Sequence, residues 1–187
     1  MMLKEVDNSI NILEEGGVIL YPTDTVWGLG CDATNEVAVN KIYETKKRNE
    51  SKSLVVLVDS IEMLEKYIVN IPLKALELLK NAPKPTTIIY DNPKGLATNV
   101  LAHDNTVAIR IAKDEFCQKM IRKFGKPVVS TSANISEKPT PISFDQIEDV
   151  ILNTVDYIVN LYQDKTMAIP SRIVKILKGG ALEIIRE

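Results

Sequence analysis

The sequence predicts an α/β domain built on a twisted, mixed parallel and antiparallel sheet with flanking helices. Strand-like apolar runs alternate with segments of helical periodicity, but without the regular rhythm of a wholly parallel sheet. The run LVVLV at residues 54–58 is continuously apolar, as in strands covered on both faces. Near the end of the chain, two apolar segments flank Gly179 and Gly180 and indicate a hairpin. The length of 187 residues suits one domain, residues 1–187.

In the first half of the chain, helical spacing recurs on both sides of the first predicted strand. Apolar residues at helical intervals stop at Gly16 and Gly17, which can cap a helix. The apolar segment VILYP ends in Pro22, which is typical of a strand that stops there. In order, we predict a helix at 3–13, a strand at 18–22, a helix at 36–47, a strand at 54–58, helices at 61–67 and 73–79, and a strand at 83–91.

The second half of the chain shows the same alternation and ends in strands. An amphipathic pattern over 116–124 is closed by Gly125, and Ser143 with Gln146 three residues later forms a capping-box pattern. We therefore predict strands at 106–112 and 126–130 around the first of these helices, a helix at 143–150, a strand at 157–160, and hairpin strands at 172–177 and 181–187.

Composition narrows the class of protein. Hydrophobic residues make up 45% and charged residues 26%, the formal net charge is −2 and the pI is about 5.6. This balance is that of a soluble globular protein and does not favour nucleic acid or membrane as a partner. The apolar runs fall short of the roughly 18 residues that span a bilayer. Two isolated cysteines, Cys31 and Cys117, suit a reducing cytosol, so we expect a cytoplasmic location.

Several common catalytic motifs are missing from the sequence. It contains no phosphate-binding GxxxxGK[ST] loop and no GxGxxG after a strand. The single histidine, His103, lies in a predicted exposed turn and is more plausible as a surface residue than as a general base. One histidine and two separated cysteines also argue against a zinc site. We therefore predict no metal ligands in the protein.

A cluster of cations follows the predicted helix at 36–47. Lys46 lies at helical spacing from Val39, on the apolar stripe of that helix, and Arg48 and Lys52 follow it closely. A lysine that extends past the edge of the core is one interpretation. The other is a phosphate-binding cluster, because a phosphate chain needs several fixed cations.

Hydroxyl and amide side chains are concentrated in VVSTSANIS, residues 128–136. Here a predicted buried strand ends in Ser130, Thr131, Ser132 and Asn134, and ligands of open α/β sheets bind at the carboxyl ends of strands. A turn that satisfies its own backbone is the alternative. Arg110 lies inside another predicted strand, where it needs an anion if it is buried, or else faces water.

Five motifs follow one another over residues 16–180: YPTDTVWGLGCDA, then TKKR, TVAIR, STSAN with SEKPTP, and ILKGG. The order of these motifs resembles that of the YrdC/TsaC family. The resemblance implies a YrdC-like domain with a concave substrate cavity. It also implies a nucleotidyltransferase that makes threonylcarbamoyl-AMP and pyrophosphate from L-threonine, bicarbonate or CO₂, and ATP with Mg²⁺. The product would serve threonylcarbamoyladenosine modification of tRNA, and the partner would be the tRNA-modifying threonylcarbamoyl transferase complex.

The resemblance also implies roles for individual residues. Lys46 and Arg48 would be catalytic and would contact the phosphates of ATP. L-threonine would be bound by Thr23, Arg110 and Ser130. Further contacts to ATP would come from Thr106, Ser132, Asn134, Thr140 and Lys178. Lys178 stands where the family usually has an arginine, so it would keep the charge but lose the two-pronged hydrogen bonding of a guanidinium.

Other residues near these motifs receive structural interpretations. Gly28 and Gly30 would let the backbone approach the substrate closely. Trp27 is expected to pack in the core rather than to stack on adenine, and Asp24 to cap a turn or helix. Residues 136–143, SEKPTPIS, are the candidate lid over an unstable carbamate.

Three other functions remain compatible with the sequence. A double-stranded RNA or tRNA-binding module without adenylate-forming activity would also use a cationic concavity, although the acidic pI argues against more than weak RNA binding. A different carbamoyl-transfer enzyme is the second alternative, and a family member without activity is the third. The retained Lys46, Arg48, Ser132 and Asn134 argue against the third.

Overall fold

The structure is a computed structural model that describes residues 1–47, 54–167 and 170–187. Its centre is a nine-stranded sheet in the order β7-β1-β2-β6-β3-β5-β4-β8-β9. The strands are β1 (Ile19–Tyr21), β2 (Gly28–Gly30), β3 (Val55–Val58), β4 (Thr86–Asp91), β5 (Thr106–Ile111), β6 (Val128–Ser132), β7 (Tyr157–Ile158), β8 (Arg172–Ile176) and β9 (Leu182–Arg186).

Both parallel and antiparallel pairs occur in this sheet. The parallel pairs are β1 with β7, β3 with β5, and β4 with β8. The antiparallel pairs are β1 with β2, β2 with β6, β3 with β6, β4 with β5, and β8 with β9. The predicted mixed sheet and the C-terminal hairpin are therefore confirmed.

Six α-helices in the described ranges surround the sheet. They are α1 (Met2–Glu14), α2 (Glu36–Lys46), α3 (Ile61–Tyr67), α4 (Leu73–Asn81), α5 (Glu115–Phe124) and α6 (Asp149–Leu152). Their apolar faces bury residues at the predicted spacing, such as Val6, Ile10 and Leu13 of α1. None of the described helices is long and apolar enough to cross a membrane.

Helix α2 places the first candidate site residue. The side chain of Asn35 caps its N-terminus and accepts hydrogen bonds from the backbone N–H groups of Val37 and Ala38, at 3.0 and 3.1 Å. The helix ends when Lys47 takes a left-handed conformation, φ 49°. Lys46 thus occupies the last turn and lies on the buried stripe of α2, as the periodicity predicts.

The predicted helix at 143–150 is wrong. Residues Phe144–Gln146 form one 3₁₀ turn, and only Asp149–Leu152 are α-helical. The Ser143 side chain makes no capping hydrogen bond. The Gln146 side-chain oxygen accepts a hydrogen bond of 3.1 Å from the N–H of Ile142, not from the N–H of Ser143 as in a capping box. The capping-box pattern is therefore used to fold a loop.

Strand β2 is not predicted by the apolar pattern, because two of its three residues are glycines. It lies between β1 and β6, so its backbone pairs on both sides. A β-carbon on Gly30 would lie 2.6 Å from the ring of Tyr21 and 2.7 Å from the carbonyl oxygen of Val129. Close approach of the neighbouring strand therefore requires glycine at this position.

We expect Gly30→Ala to destabilise the fold by about 1–3 kcal/mol, because the added methyl group meets a backbone oxygen that cannot move independently. Gly28→Ala is the matched control, since a β-carbon there finds its nearest atoms at 3.4 Å, an ordinary contact. Urea unfolding of both variants measures the difference. Equal midpoints for the two variants would contradict the steric argument.

Candidate active site

An open cavity of about 450 Å³ is lined by residues of the central strands β3, β5 and β6 and of neighbouring segments. Its polar lining consists of hydroxyl side chains and two arginines; these residues are Thr25, Ser130, Thr131, Ser132, Thr140, Ser171, Arg110 and Arg186. Apolar residues, among them Val26, Ile142 and Ile173, complete the wall. Hydroxyls, guanidinium groups and apolar surface together suit a small polar ligand that carries negative charge.

The loop after β1 forms one side of the cavity. The Thr23 hydroxyl accepts hydrogen bonds from the N–H groups of Thr25 and Val26, at 3.1 and 3.3 Å, and lies 2.7 Å from the Val26 carbonyl oxygen. Thr23, expected at the threonine site, therefore folds its own turn and is 4% exposed. Its neighbour Thr25 lines the cavity, 3.0 Å away between the hydroxyl oxygens.

Lys46 joins α2 to the end of β6. Its ammonium group donates to the carbonyl oxygens of Ser132 and Asn134, the latter at 2.6 Å, and lies 3.5 Å from the Asn134 side-chain oxygen. The residue is 1% exposed. A buried ammonium requires such oxygen partners, so it fixes the residues that end the strand.

The polar end of β6 does contribute to the site. Ser130 and Ser132 line the cavity, as the sequence predicts for a carboxyl end of a strand. The Asn134 side chain instead donates to the carbonyl oxygens of Ile135 and Lys138, at 3.0 and 2.7 Å. Asn134 therefore shapes the loop that leads to Thr140, which lines the cavity.

Arg110 is buried and paired, which decides between its two interpretations. Its Nη2 lies 3.0 Å from Oδ1 of Asp24, and the two side chains are 5% and 9% exposed. The expectation that Asp24 caps a turn or helix is wrong, because its carboxylate balances this buried charge. Arg110 also lines the cavity, so the pair lies in its wall.

Arg186 is a second arginine at the cavity, and the motif pattern did not point to it. Its guanidinium donates to the carbonyl oxygen of Ser171 from Nε at 3.1 Å and from Nη2 at 2.8 Å. Burial, and then the positive charge of Arg110, lowers the pKa of Arg186. The Ser171 hydroxyl also accepts a hydrogen bond from Thr87 at 2.9 Å, which ties this corner to β4.

The hairpin explains why Arg186, and not Lys178, reaches the cavity. Arg186 pairs with Ile173 at the start of β8, whereas Lys178 lies exposed in the turn at the other end of the hairpin. Counting residues outward from Gly179 and Gly180 would place Arg186 opposite Arg172, because the register shift between Ile173 and Val174 is not visible in the sequence. Lys178 does not line the cavity.

Thr106, which is also predicted to contact ATP, lies outside the described cavity wall. Thr106 begins β5 and donates its hydroxyl proton to Asp104, with the oxygens 2.7 Å apart, so it does not line the cavity. Arg48 lies outside the described residues. Both roles stay predictions.

Trp27 is fully buried and packs against Phe144, with ring centroids 5.0 Å apart. The expectation of core packing is therefore confirmed. This contact attaches the 3₁₀ turn after residues 136–143 to the loop that carries Thr25.

No group of three or more His, Cys, Asp or Glu side chains that could hold a metal occurs among residues 1–47, 54–167 and 170–187. The described polar cavity wall consists of hydroxyls and guanidinium groups. These side chains can contact a metal–nucleotide complex, but they do not form the carboxylate site that a resident Mg²⁺ prefers.

Comparison with known proteins identifies relatives along the whole chain. The chain is 35% identical over 184 residues to a threonylcarbamoyl-AMP synthase of Psychromonas ingrahamii, covering 95% of each protein. It is 32% identical over 180 residues to a protein of the same name from Xanthomonas oryzae, covering 95% of this chain and 96% of the relative.

Solved structures share the fold. P. abyssi Sua5 in complex with L-threonine is 27% identical, with a TM-score of 0.87, and the match covers 100% of this chain. This chain spans about half, 54%, of that longer protein. E. coli YciO, 23% identical with a TM-score of 0.84 over 98% of this chain and 89% of its own, shows the same fold.

A family model named for Sua5, YciO and YrdC, and described as telomere recombination, matches residues 11–187. The family resemblance predicted from the motif order is thereby confirmed. The chain belongs to the Sua5/YciO/YrdC family.

Proposed function

We propose that this protein is an L-threonylcarbamoyladenylate synthase. It makes threonylcarbamoyl-AMP and pyrophosphate from L-threonine, bicarbonate or CO₂, and ATP, for threonylcarbamoyladenosine modification of tRNA. The observation that carries the proposal is the cavity with two arginines among hydroxyl side chains, in a chain 35% identical to a protein of that name over 95% of its length. The protein is thus an enzyme of the nucleotidyltransferase type.

L-threonine is proposed to bind beside Arg110. A guanidinium group is suited to a carboxylate, and Ser130 and Thr25 supply hydroxyls in the same cavity. The related P. abyssi Sua5 structure contains L-threonine, which supports an amino-acid site in this fold. In this assignment Thr23 acts by holding the loop, and Thr25 takes the contact that the sequence assigned to Thr23.

The phosphates of ATP are proposed to lie between Lys46 and Arg186. Arg186 enters the cavity from β9, whereas Lys46 is 1% exposed, does not line the cavity and would act through its charge from behind the Ser132 end of β6. Arg48, which lies outside the described residues, would also contact the phosphates. Ser132 and Thr140 would add hydroxyl contacts. Asn134 would act by shaping the loop, while Thr106 and Lys178 lack support from the cavity geometry.

The chemistry requires positioning and charge stabilisation, without a covalent intermediate on the protein. The threonine amine adds to CO₂ and gives a carbamate and a proton, or it reacts with bicarbonate and gives a carbamate and water. A carbamate oxygen then attacks the α-phosphorus of ATP, and the bond to pyrophosphate breaks. Fixed cations at the phosphates stabilise the charge that develops on their oxygens. The cavity keeps the carbamate close to the phosphorus.

Mg²⁺ is proposed to arrive with ATP as part of the substrate. The phosphates would supply most of its ligands, since the described cavity wall contributes hydroxyls and no carboxylate. When bound, the ion neutralises phosphate charge and aids departure of pyrophosphate. The residues described above would orient this complex through Arg186 and Lys46.

The RNA-binding alternative is not favoured by the surface charges of α5. Three cations of this helix, and Lys126 just after it, are each paired with a carboxylate. The pairs are Lys119 with Glu115, Arg122 with Asp59, Lys123 with Asp7, and Lys126 with Asp32. Neutralised cations contribute little to binding a phosphate backbone. Delivery of the product to a tRNA-modifying transferase complex and a cytoplasmic location remain part of the proposal.

We expect pyrophosphate release from ATP, Mg²⁺ and bicarbonate to require L-threonine. Lys46→Ala should lower the rate about 100-fold or more, because it removes a fixed cation and leaves buried carbonyl oxygens unpaired. Lys41→Ala is the control on the same helix, since Lys41 is exposed and donates to the Gly16 carbonyl oxygen at 2.8 Å. Thermal unfolding shows whether each variant is folded. Threonine-independent release would contradict the proposed reaction.

Arg186→Ala should weaken ATP binding about tenfold or more, because the proposed charge-assisted hydrogen bond between the guanidinium group and a phosphate is lost. Lys178→Ala should leave binding within about twofold, as for an exposed residue away from the site. Isothermal titration of both variants with MgATP makes the comparison. A larger loss in the Lys178 variant would refute the placement of the phosphates beside Arg186.

A further inference from the structure

We propose that Asp24 is a positioning residue for the amino-acid substrate, because it holds the Arg110 guanidinium in the cavity wall. The juxtaposition is the 3.0 Å contact between Asp24 Oδ1 and Arg110 Nη2. The inference deepens the proposed function and rests on it, since it names the residue that fixes the carboxylate-binding arginine. Asp24 does not itself line the cavity, so it acts through Arg110.

The two residues come from distant parts of the sheet. Asp24 lies in the loop after β1, and Arg110 lies in β5, with β2, β6 and β3 between these strands. The contact therefore joins the loop to a strand that lies four positions away in the order of the sheet. The same loop carries Thr25 into the cavity, so the ion pair also fixes the position of a lining residue.

The two carboxylate oxygens of Asp24 differ, because Oδ2 is hydrogen bonded, whereas Oδ1 is buried without a hydrogen bond among the described residues and contacts Arg110 as an ion pair. While Oδ1 faces Arg110, Oδ2 accepts a hydrogen bond of 3.2 Å from the backbone N–H of Lys113, just beyond the end of β5. The donor is a backbone group, and Lys113 belongs to the segment that follows Arg110 in the chain. The carboxylate therefore has a fixed position relative to Arg110.

The hydrogen-bonding capacity of Arg110 is only partly used. Its Nε is buried and has no hydrogen-bond partner among the described residues. A buried ion pair with a purely structural role is expected to satisfy such donors, because an unpaired one costs free energy. Since Arg110 also lines the cavity, an anionic ligand there can complete contacts that the protein leaves unmade.

The charges that face Arg110 explain why it needs an anchor. Arg186 lies in the same cavity wall, and its pKa is lowered by burial and then by the positive charge of Arg110. The Asp24 carboxylate, 3.0 Å from Arg110 Nη2, supplies an opposite charge. It also contributes, after burial, to the raised pKa of Asp114 at the start of α5.

The test is titration of L-threonine into the unsubstituted protein and Asp24→Asn, a variant of the same shape without the charge. We expect threonine binding to weaken about tenfold or more, because a neutral amide holds the guanidinium less firmly. The KM for ATP should stay within about twofold of that of the unsubstituted protein, since the phosphates are proposed to lie between Lys46 and Arg186. A general loss of structure would change both.

Asp32→Asn is the matched control. Asp32 is also buried and accepts a hydrogen bond from Lys126 at 2.7 Å, but it does not line the cavity or contact Arg110. This substitution should leave threonine binding within about twofold. In the Arg110→Lys background, Asp24→Asn should weaken threonine binding by a smaller factor than it does alone, since the effects of coupled residues are not additive.

Unchanged threonine affinity in the folded Asp24→Asn variant would overturn the inference and leave the proposed function standing. No threonine binding by the unsubstituted protein would overturn both. If Asp24→Asn does not fold, the Arg110 Nε–H resonance of the unsubstituted protein is the second measurement. It should shift on addition of L-threonine, and a resonance that does not respond would count against the inference.

Discussion

The buried ammonium group of Lys46 is the interaction on which the candidate site depends. It holds the carbonyl oxygens of Ser132 and Asn134, and the N–H of Ser136 returns a hydrogen bond to the Lys46 carbonyl oxygen at 2.8 Å. Helix α2 and the end of β6 are thereby locked together. Since β6 carries the serines of the cavity, one side chain fixes both a cation and the hydroxyls beside it.

The rest of the site is assembled from segments that are far apart in sequence. The β1 loop supplies Thr25, β5 supplies Arg110, and the C-terminal hairpin supplies Arg186. Each is fixed by a polar contact to a neighbour: the turn of Thr23, the carboxylate of Asp24 and the carbonyl group of Ser171. Polar groups that are mutually satisfied in this way hold a site rigid before a ligand arrives.

Local pattern predicted most of the elements, because apolar periodicity reports burial directly. It predicted the buried face of Lys46 for the same reason. It failed at Gly28–Gly30, because strand pairing there depends on the absence of side chains. It also failed at Ser143, because the side chain of Gln146 accepts a hydrogen bond from Ile142 instead. Asp24 and Arg186 were missed as site residues because their roles depend on strand order and hairpin register, which no local pattern encodes.

The two arginines of the cavity have a further consequence for how this protein balances stability against function. Burial, and then the positive charge of Arg110, lowers the pKa of Arg186, so the two guanidinium groups repel each other. Replacing one of them with a neutral residue would therefore favour the folded state. Their joint presence suits a site in which folding stability is given up in exchange for affinity toward anions.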